Sequence, residues 1–320
     1  MGIDTLPFVI GWELTLACNL RCTHCGSVAG LVRRNELTTD EALKVCDQFP
    51  ELLVQEVDFT GGEPLFRTDW EIIASRIAKL GIHLQMITNG VLMNPDMAAR
   101  IANAGINGLG FSLDGMEKTH DTIRCFPGLF RRVINGIEQA IKAGLDIAVL
   151  TTVNAQNLNE LPEILSLLCS VGVHRWQLQP LFPLGRAKNN HQLMLSQEQF
   201  MQIGAFLESY GMLAEKDGFT IEMADSLGYG THCDVRPGVW PGCPAGIVGC
   251  GITSDGKIKG CLSMPDELIE GDLRENDLWS IWFHPNSFVY NRRFSVDDLG
   301  PACRGCDRGT VCKGGCSSMS

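Results

Sequence analysis

The sequence predicts an α/β protein built on parallel strands, followed by a smaller cysteine-rich region. Two observations carry this. From about Phe8 to Phe206, strand-like and helix-like runs alternate in about six β-α units, and alternation of that kind implies parallel strands joined by crossover helices. Past about Gly211 the alternation stops, and glycine, proline and cysteine become dense. The expected division is 1–210 for the α/β domain, 211–230 for a linker and 231–320 for the cysteine-rich domain. A chain of 320 residues is long enough for one large domain and one smaller one.

Each element has a local reason. Phe8–Leu16 is apolar and strand-like. Thr38 or Thr39 caps a helix over Thr38–Phe49, with acids in its first turn and apolar residues at helical spacing. Glu56–Thr60 is a short strand running into Gly61-Gly62. Asp69–Leu80 is helical and Gly81 stops it. Leu84–Thr88 is a strand ending in Asn89-Gly90, and Asp96–Ala104 is a helix stopped by Gly105. Gly108–Leu113 is a strand ending in Asp114-Gly115, followed by a helix over Phe130–Ala143. Ile147–Val153 and Trp176–Leu181 are strands, and Leu158–Cys169 and Gln197–Tyr210 are helices. Cys46 and Cys169 lie in apolar helical runs and are expected in the core. This pattern does not by itself separate an open sheet from a barrel.

Bulk properties exclude several classes. The net charge of -11 argues against duplex nucleic acid as the main partner, because phosphate binding favours a basic face. No apolar run reaches membrane-spanning length, and the N-terminus lacks a signal-peptide pattern. Fourteen cysteines in so long a chain, clustered at metal-ligand spacings, read as reduced ligands rather than as a disulfide framework. That implies a reducing cytoplasm.

Three of them, Cys18, Cys22 and Cys25, form a Cys-x3-Cys-x2-Cys loop after the first strand. Three thiolates leave one iron of a [4Fe–4S] cluster without a protein ligand. A zinc knuckle is the competing reading, but a structural zinc site takes four ligands. His24 as the fourth would lie beside Cys25, and adjacent residues rarely share one tetrahedral centre. Seven more cysteines form Cys243-x6-Cys250-x10-Cys261 and Cys303-x2-Cys306-x5-Cys312-x3-Cys316.

The cysteine loop, with Gly61-Gly62-Glu63-Pro64 after the second strand, resembles the radical S-adenosylmethionine enzymes over nearly the whole chain. The tail resembles their SPASM domain, found in enzymes that modify peptides and proteins. The resemblance implies a partial (β/α)6 TIM-like barrel followed by a small SPASM domain. It makes Cys18, Cys22 and Cys25 the ligands of a catalytic [4Fe–4S] cluster whose open iron chelates S-adenosylmethionine. Reductive cleavage then releases a 5′-deoxyadenosyl radical that abstracts hydrogen. Gly61, Gly62 and Glu63 would meet the cofactor's amino group, and Ser112 and Asp114 its ribose, while His24 occupies a slot near the adenine. Asn154 and Gln179, at later strand ends, are further cofactor or substrate contacts. His120-Asp121-x-x-Arg124 resembles a segment that in related enzymes continues with Gly, where this chain has Cys125.

In the tail, the resemblance gives Cys243, Cys250, Cys261 and Cys316 to one auxiliary [4Fe–4S] cluster and Cys303, Cys306 and Cys312 to a second. The family usually adds one more cysteine. Either the chain is cut short or the second cluster keeps an open iron; Cys233 reaching in as a substitute ligand is a further alternative. A pair of zinc ribbons fits seven thiolates no better.

The expected substrate is a ribosomally made precursor peptide, altered by cross-linking, epimerisation or backbone excision. The expected partners are a separate peptide-recognition protein, or else leader binding by the tail domain, since no module precedes the cysteine loop, and a flavodoxin- or ferredoxin-type reductant. One alternative is the anaerobic sulfatase-maturing enzyme. Those enzymes place an Asp base where this chain has Leu262, with Asp266 and Glu267 only nearby. The other is an iron–sulfur electron carrier or sensor without catalysis.

Overall fold

Thr38 accepts the amide of Glu41 while the Glu41 carboxylate accepts the amide of Thr38. This reciprocal cap starts α1 (Thr39–Cys46) where the sequence places it. In the computed structural model, which describes residues 6–216, 218–224, 243–301, 303–307 and 309–318, the chain divides into two compact units. The first holds 1–17, 31–85 and 238–320; the second holds 18–30 and 86–237.

The first unit starts with β1 (Val9–Thr15), α1, β2 (Glu56–Gly61) and α2 (Trp70–Lys79). β1 and β2 pair in parallel, with Val9 opposite Glu56. Alternation sorts the faces: Ile10, Trp12 and Leu14 are fully buried, and Trp12 meets Phe49 and Phe59 edge-on. β3 (His83–Thr88) runs from this unit into the second.

The second unit continues with α3 (Pro95–Asn103), β4 (Gly108–Ser112), α4 (Glu117–Arg124), α5 (Leu129–Lys142), β5 (Asp146–Val153), α6 (Leu161–Ser170), β6 (Arg175–Pro180), α7 (Gln197–Lys216) and β7 (Thr220–Met223). β4, β5, β6 and β7 pair in that order, all parallel. Phe111, Val149 and Trp176 fill one face, and Trp176 donates its indole N–H to Thr151 at 2.8 Å. α4 was not expected. Its sequence is polar, so it lacks the apolar stripe that reveals a helix.

The tail adds β8 (Gly249–Ile252), β9 (Lys257–Lys259) and β10 (Gly271–Asp272) to the first unit, with the short helices α8 (Leu278–Trp282), α9 (Val289–Arg292) and α10 (Gly309–Cys312). β8 pairs in parallel with β1, Val9 opposite Gly249, so the order here is β10-β9-β8-β1-β2. Glu13 ties the two ends of the sequence together. It binds Arg33 at 2.8 Å and accepts the Ser254 hydroxyl at 2.9 Å.

Two expectations change. The segment taken as a linker, 211–230, contains the end of α7 and all of β7, while 225–230 lie outside the described residues. Cys46 is fully buried, and burial pushes its thiol up to about 12, but Cys169 is exposed. α6 turns Leu161, Ile164 and Leu168 inward, which leaves Cys169 on the outer side. Among the described residues no helix is long and apolar enough to cross a membrane.

Candidate active site and cluster sites

In the second unit the cysteine loop is held by its backbone. Cys18 N–H donates to Gly30 at 3.2 Å and Thr23 N–H to Ile123 at 2.8 Å. From the turn after β6, Arg186 donates Nε to the Cys22 carbonyl at 2.7 Å and Nη1 to the Ala29 carbonyl at 2.9 Å. Beside it, Gly185 (φ 52) lies so close that a Cβ would meet the Gly26 carbonyl at 2.2 Å. Leu20 N–H points at the Cys18 sulfur at 3.4 Å, and Asn89 bridges to Asn19 at 2.7 Å. None of the Gly185, Arg186 or Asn89 contacts has a local sequence signal, because their partners are far away in the chain.

Asp114 is the electrostatic centre of the loop's surroundings. Fully buried, it binds Arg124 Nη2 at 2.7 Å and His24 Nε2 at 3.1 Å, and it accepts the Thr152 amide at 2.9 Å. Burial alone would raise its carboxyl, but Arg124 and His24 outweigh that and hold it well below the usual carboxylate range. His120 completes the group, its Nδ1 accepting the Asp114 amide at 3.0 Å. Burial, and then Arg124, lower the His120 pKa to about 3, which suits a neutral ring acting as acceptor.

The other residues expected at the cofactor each have protein contacts. The Asp114 carboxylate is engaged by Arg124 and the Thr152 amide, and Ser112 is half-buried at the end of β4. His24 is turned onto Asp114, with Nδ1 buried and unpartnered among the described residues. Asn154 is fully buried and spent on its own turn, accepting from Gln156 N–H at 2.9 Å and donating to the Thr152 carbonyl at 3.0 Å. Gln179 is half-buried and donates to Thr152 Oγ1 at 3.0 Å. Cys125 takes the left-handed conformation (φ 55) that ends α4, which is the geometry a glycine would adopt without strain. Asp121 accepts the amides of Gly128 and, at 2.8 Å, of Phe130, starting α5.

In the first unit Gly61-Gly62-Glu63 presses on the chain's own backbone. A Cβ on Gly62 would lie 2.1 Å from the Ala17 carbonyl oxygen, and one on Gly61 (φ 131) 2.3 Å from that of Thr15. The amides of Gly62 and Glu63 donate to Thr15 and Ala17 at 2.8 and 2.9 Å. The glycine pair thus fixes the segment that leads into the cysteine loop. Glu63 is 1% exposed and its Oε1 accepts the Leu65 amide at 3.3 Å.

The tail cysteines form two groups, both in the first unit. Cys243 and Cys261 pack with Ala245, Met264 and Tyr290, and Cys250 is buried nearby, its thiol pushed up to about 12 by burial against the pull of Arg292. Cys303 and Cys306 are exposed and lie near enough to Cys312 to act on its charge. Cys316 Sγ lies 3.1 Å from Ser318 Oγ, and Cys233 falls outside the described residues. Asp266 is bound by Lys259, whose hydrogen bond holds its carboxyl below the usual range.

The donor sets fit iron–sulfur ligation. Among the described residues no three His, Cys, Asp or Glu side chains gather closely enough for a single metal ion. A cluster instead takes each thiolate at a different iron. Burial pushes the Cys22 thiol up to about 11, and the buried Arg124 cation pulls against that rise. Unpartnered buried atoms, His24 Nδ1 here and Tyr290 Oη in the tail, stand ready for further partners.

The Radical SAM superfamily model matches residues 12–168. An AdoMet-dependent heme synthase of Methanosarcina barkeri is 30% identical over 98% of this chain and 92% of its own length. The chain belongs to the radical SAM superfamily. A PqqA peptide cyclase of Rhizobium meliloti is 25% identical over 97% of this chain and 82% of its own. Among solved structures, Streptococcus suis SuiB bound to its precursor peptide SuiA matches with a TM-score of 0.81 at 16% identity, over 98% of this chain and 72% of that one. The shared fold is the TIM-like partial barrel expected from the sequence. As a radical SAM enzyme the chain uses a [4Fe–4S] cluster and S-adenosylmethionine.

Proposed function

We propose that this radical SAM enzyme modifies a peptide. The supporting observation is the chemistry of one strand face in the second unit. Gly110, Ser112, Leu150, Thr152, Gln177 and Gln179 share that face, as the register of β4, β5 and β6 requires. It offers hydroxyls and amides, which match the donors and acceptors of a peptide backbone. Among the described residues of these three strands its one cation, Arg175, sits at a strand start and is bound to Asp146 at 2.7 Å.

When bound at Cys18, Cys22 and Cys25, the cluster and S-adenosylmethionine supply a carbon radical able to take a hydrogen atom. The chain's residues do the rest. Arg186, Gly185 and Thr23 hold the loop backbone. Asp114 orients His24 and balances Arg124 beside the thiolates. Ser112, Gln177 and Gln179 present polar groups for orienting substrate. Cys243, Cys250 and Cys261, with Cys316, hold one auxiliary cluster, and Cys303, Cys306 and Cys312 hold part of another. The required electron comes from a flavodoxin- or ferredoxin-type donor, and a separate recognition protein delivers the peptide. Sulfatase maturation ranks lower, because Asp266 is held by Lys259 and a low-pKa carboxylate is a weak base.

A tetrapyrrole substrate is the second reading, favoured by the name of the Methanosarcina barkeri relative. It would require cations to meet the propionates. The test is to give the reduced enzyme either a precursor-type peptide or an iron porphyrin bearing propionates. Substrate-dependent 5′-deoxyadenosine and a mass change in the peptide support the peptide reading. The same response only to the porphyrin overturns it.

A further inference from the structure

One short helix organises the first group of tail cysteines. Asn291 donates Nδ2 to the carbonyls of Cys243 and Ala245 at 2.6 and 2.8 Å. Arg292 donates Nε to the Gly246 carbonyl at 2.6 Å and packs on Trp282 and Phe288, 4.5 and 4.6 Å from their ring centres. Gly246 (φ 70) has no room for a side chain, because a Cβ would stand 2.4 Å from Phe288. These contacts fix α9 against the turn that carries Cys243.

Two donors are left over. Tyr290 Oη and Arg292 Nη2 are both buried without a hydrogen-bond partner among the described residues. A buried donor without an acceptor is costly and calls for an explanation. The Tyr290 hydroxyl is also tightly placed, since a Cβ on Gly260 would lie 1.9 Å from it. Around it stand Cys243, Cys250 and Cys261, near enough that their charge adds to burial and Glu270 in raising the phenol. Arg292 in turn acts on Cys250. The sulfur shell of a cluster on these thiolates is the acceptor such donors lack.

We propose that Tyr290 donates its phenolic hydrogen to a sulfur of the iron–sulfur cluster held by Cys243, Cys250 and Cys261, with Arg292 Nη2 as a second donor, and so raises that cluster's reduction potential. This rests on the reading that these cysteines hold a cluster. The direction follows from charge. Reduction adds an electron to the cluster, and a hydrogen bond to sulfur stabilises the more negative state. Tyr290 is a positioning and tuning residue, and it does not touch the reacting atoms.

The test uses the full chain with Cys18, Cys22, Cys25, Cys303, Cys306 and Cys312 all changed to Ala, so that one cluster site remains. Iron and sulfide are counted after anaerobic reconstitution, and the potential is followed by electron paramagnetic resonance during titration with dithionite. Tyr290→Phe should keep the iron and favour the oxidised form about tenfold more, a shift of about 59 mV to lower potential for one electron. In heavy water the parent should show an exchangeable proton coupled to the reduced cluster, and the Phe variant should lose it. An unchanged potential at unchanged iron would overturn the role of Tyr290, as would a parent without that proton signal. A parent that binds no iron would overturn the cluster assignment instead.

Discussion

Arg186 donates its Nε to the backbone carbonyl of Cys22 at 2.7 Å, joining residues 164 apart in the sequence. Its Nη1 reaches Ala29 as well, so one guanidinium spans both ends of the loop's second half. Hydrogen bonds to a charged group contribute about 1.5–3 kcal/mol each. Arg186→Ala should therefore lower stability by about 3–6 kcal/mol and reduce the iron retained at Cys18, Cys22 and Cys25. Iron counting beside thermal unfolding checks this, and unchanged values in both would refute the clamp.

Asp114 and Arg124 test the buried network. Removing one partner of a buried ion pair costs about 3–5 kcal/mol, because the other charge is left uncompensated. Asp114→Asn keeps the shape and strands Arg124, which is 8% exposed. A urea midpoint lowered by that amount is expected. Asp114→Asn combined with Arg124→Met should recover much of the loss, and additive losses would contradict a specific pair.

The glycine pair after β2 is discriminating because space is its constraint. Gly62→Ala puts a methyl against the Ala17 carbonyl, where backbone would have to move. Overpacking of that kind costs about 1–3 kcal/mol or more. Gly81 has a positive φ of 73 but nothing within 4 Å of a built Cβ. Gly81→Ala should cost only the left-handed backbone penalty, about 1–2 kcal/mol, and leave iron binding intact. Equal effects of the two changes on iron content would argue against a role for Gly62 in placing the loop.

Asp58 gives the first unit a pH signature. Burial, with Glu56 beside it, raises its pKa to about 7 from 3.8. Between those values the folded chain holds a proton that the unfolded chain has released. The stabilisation is thus complete below pH 3.8 and is lost as pH rises through 7, by on the order of 4 kcal/mol. Asp58→Asn should flatten this slope and make the chain more stable than the parent at pH 8. Urea midpoints of both chains at pH 5 and pH 8 measure it, and parallel slopes would contradict it.

Much of the scaffold could be read from the sequence because its causes are local. The Thr38–Glu41 cap, the glycine stops at Gly81 and Gly105, and the alternation in β1 and β5 all act over a few residues. The Cys18-x3-Cys22-x2-Cys25 loop is a local pattern and stood out in the sequence. What escaped is non-local. Neither the pairing of β8 with β1 nor the reach of Arg186 leaves a mark in nearby residues. Asp114 read as a cofactor contact in an Asp-Gly turn at a strand end, and nothing nearby announced that α4 turns Arg124 onto it where both are buried. Asn157, which donates to the Asp114 and Thr152 carbonyls, lies just ahead of the helix expected from Leu158 and was not singled out. Cys169 misled because an apolar helix still has an outer face.

The most direct measurement is the yield of 5′-deoxyadenosine by mass spectrometry. The reconstituted chain is given S-adenosylmethionine and a strong reductant, beside a variant with Cys18, Cys22 and Cys25 changed to Ala. Product from the parent, and none from a variant that keeps its tail iron, is the expected result. Equal product from both would show that the cleavage does not depend on these three cysteines.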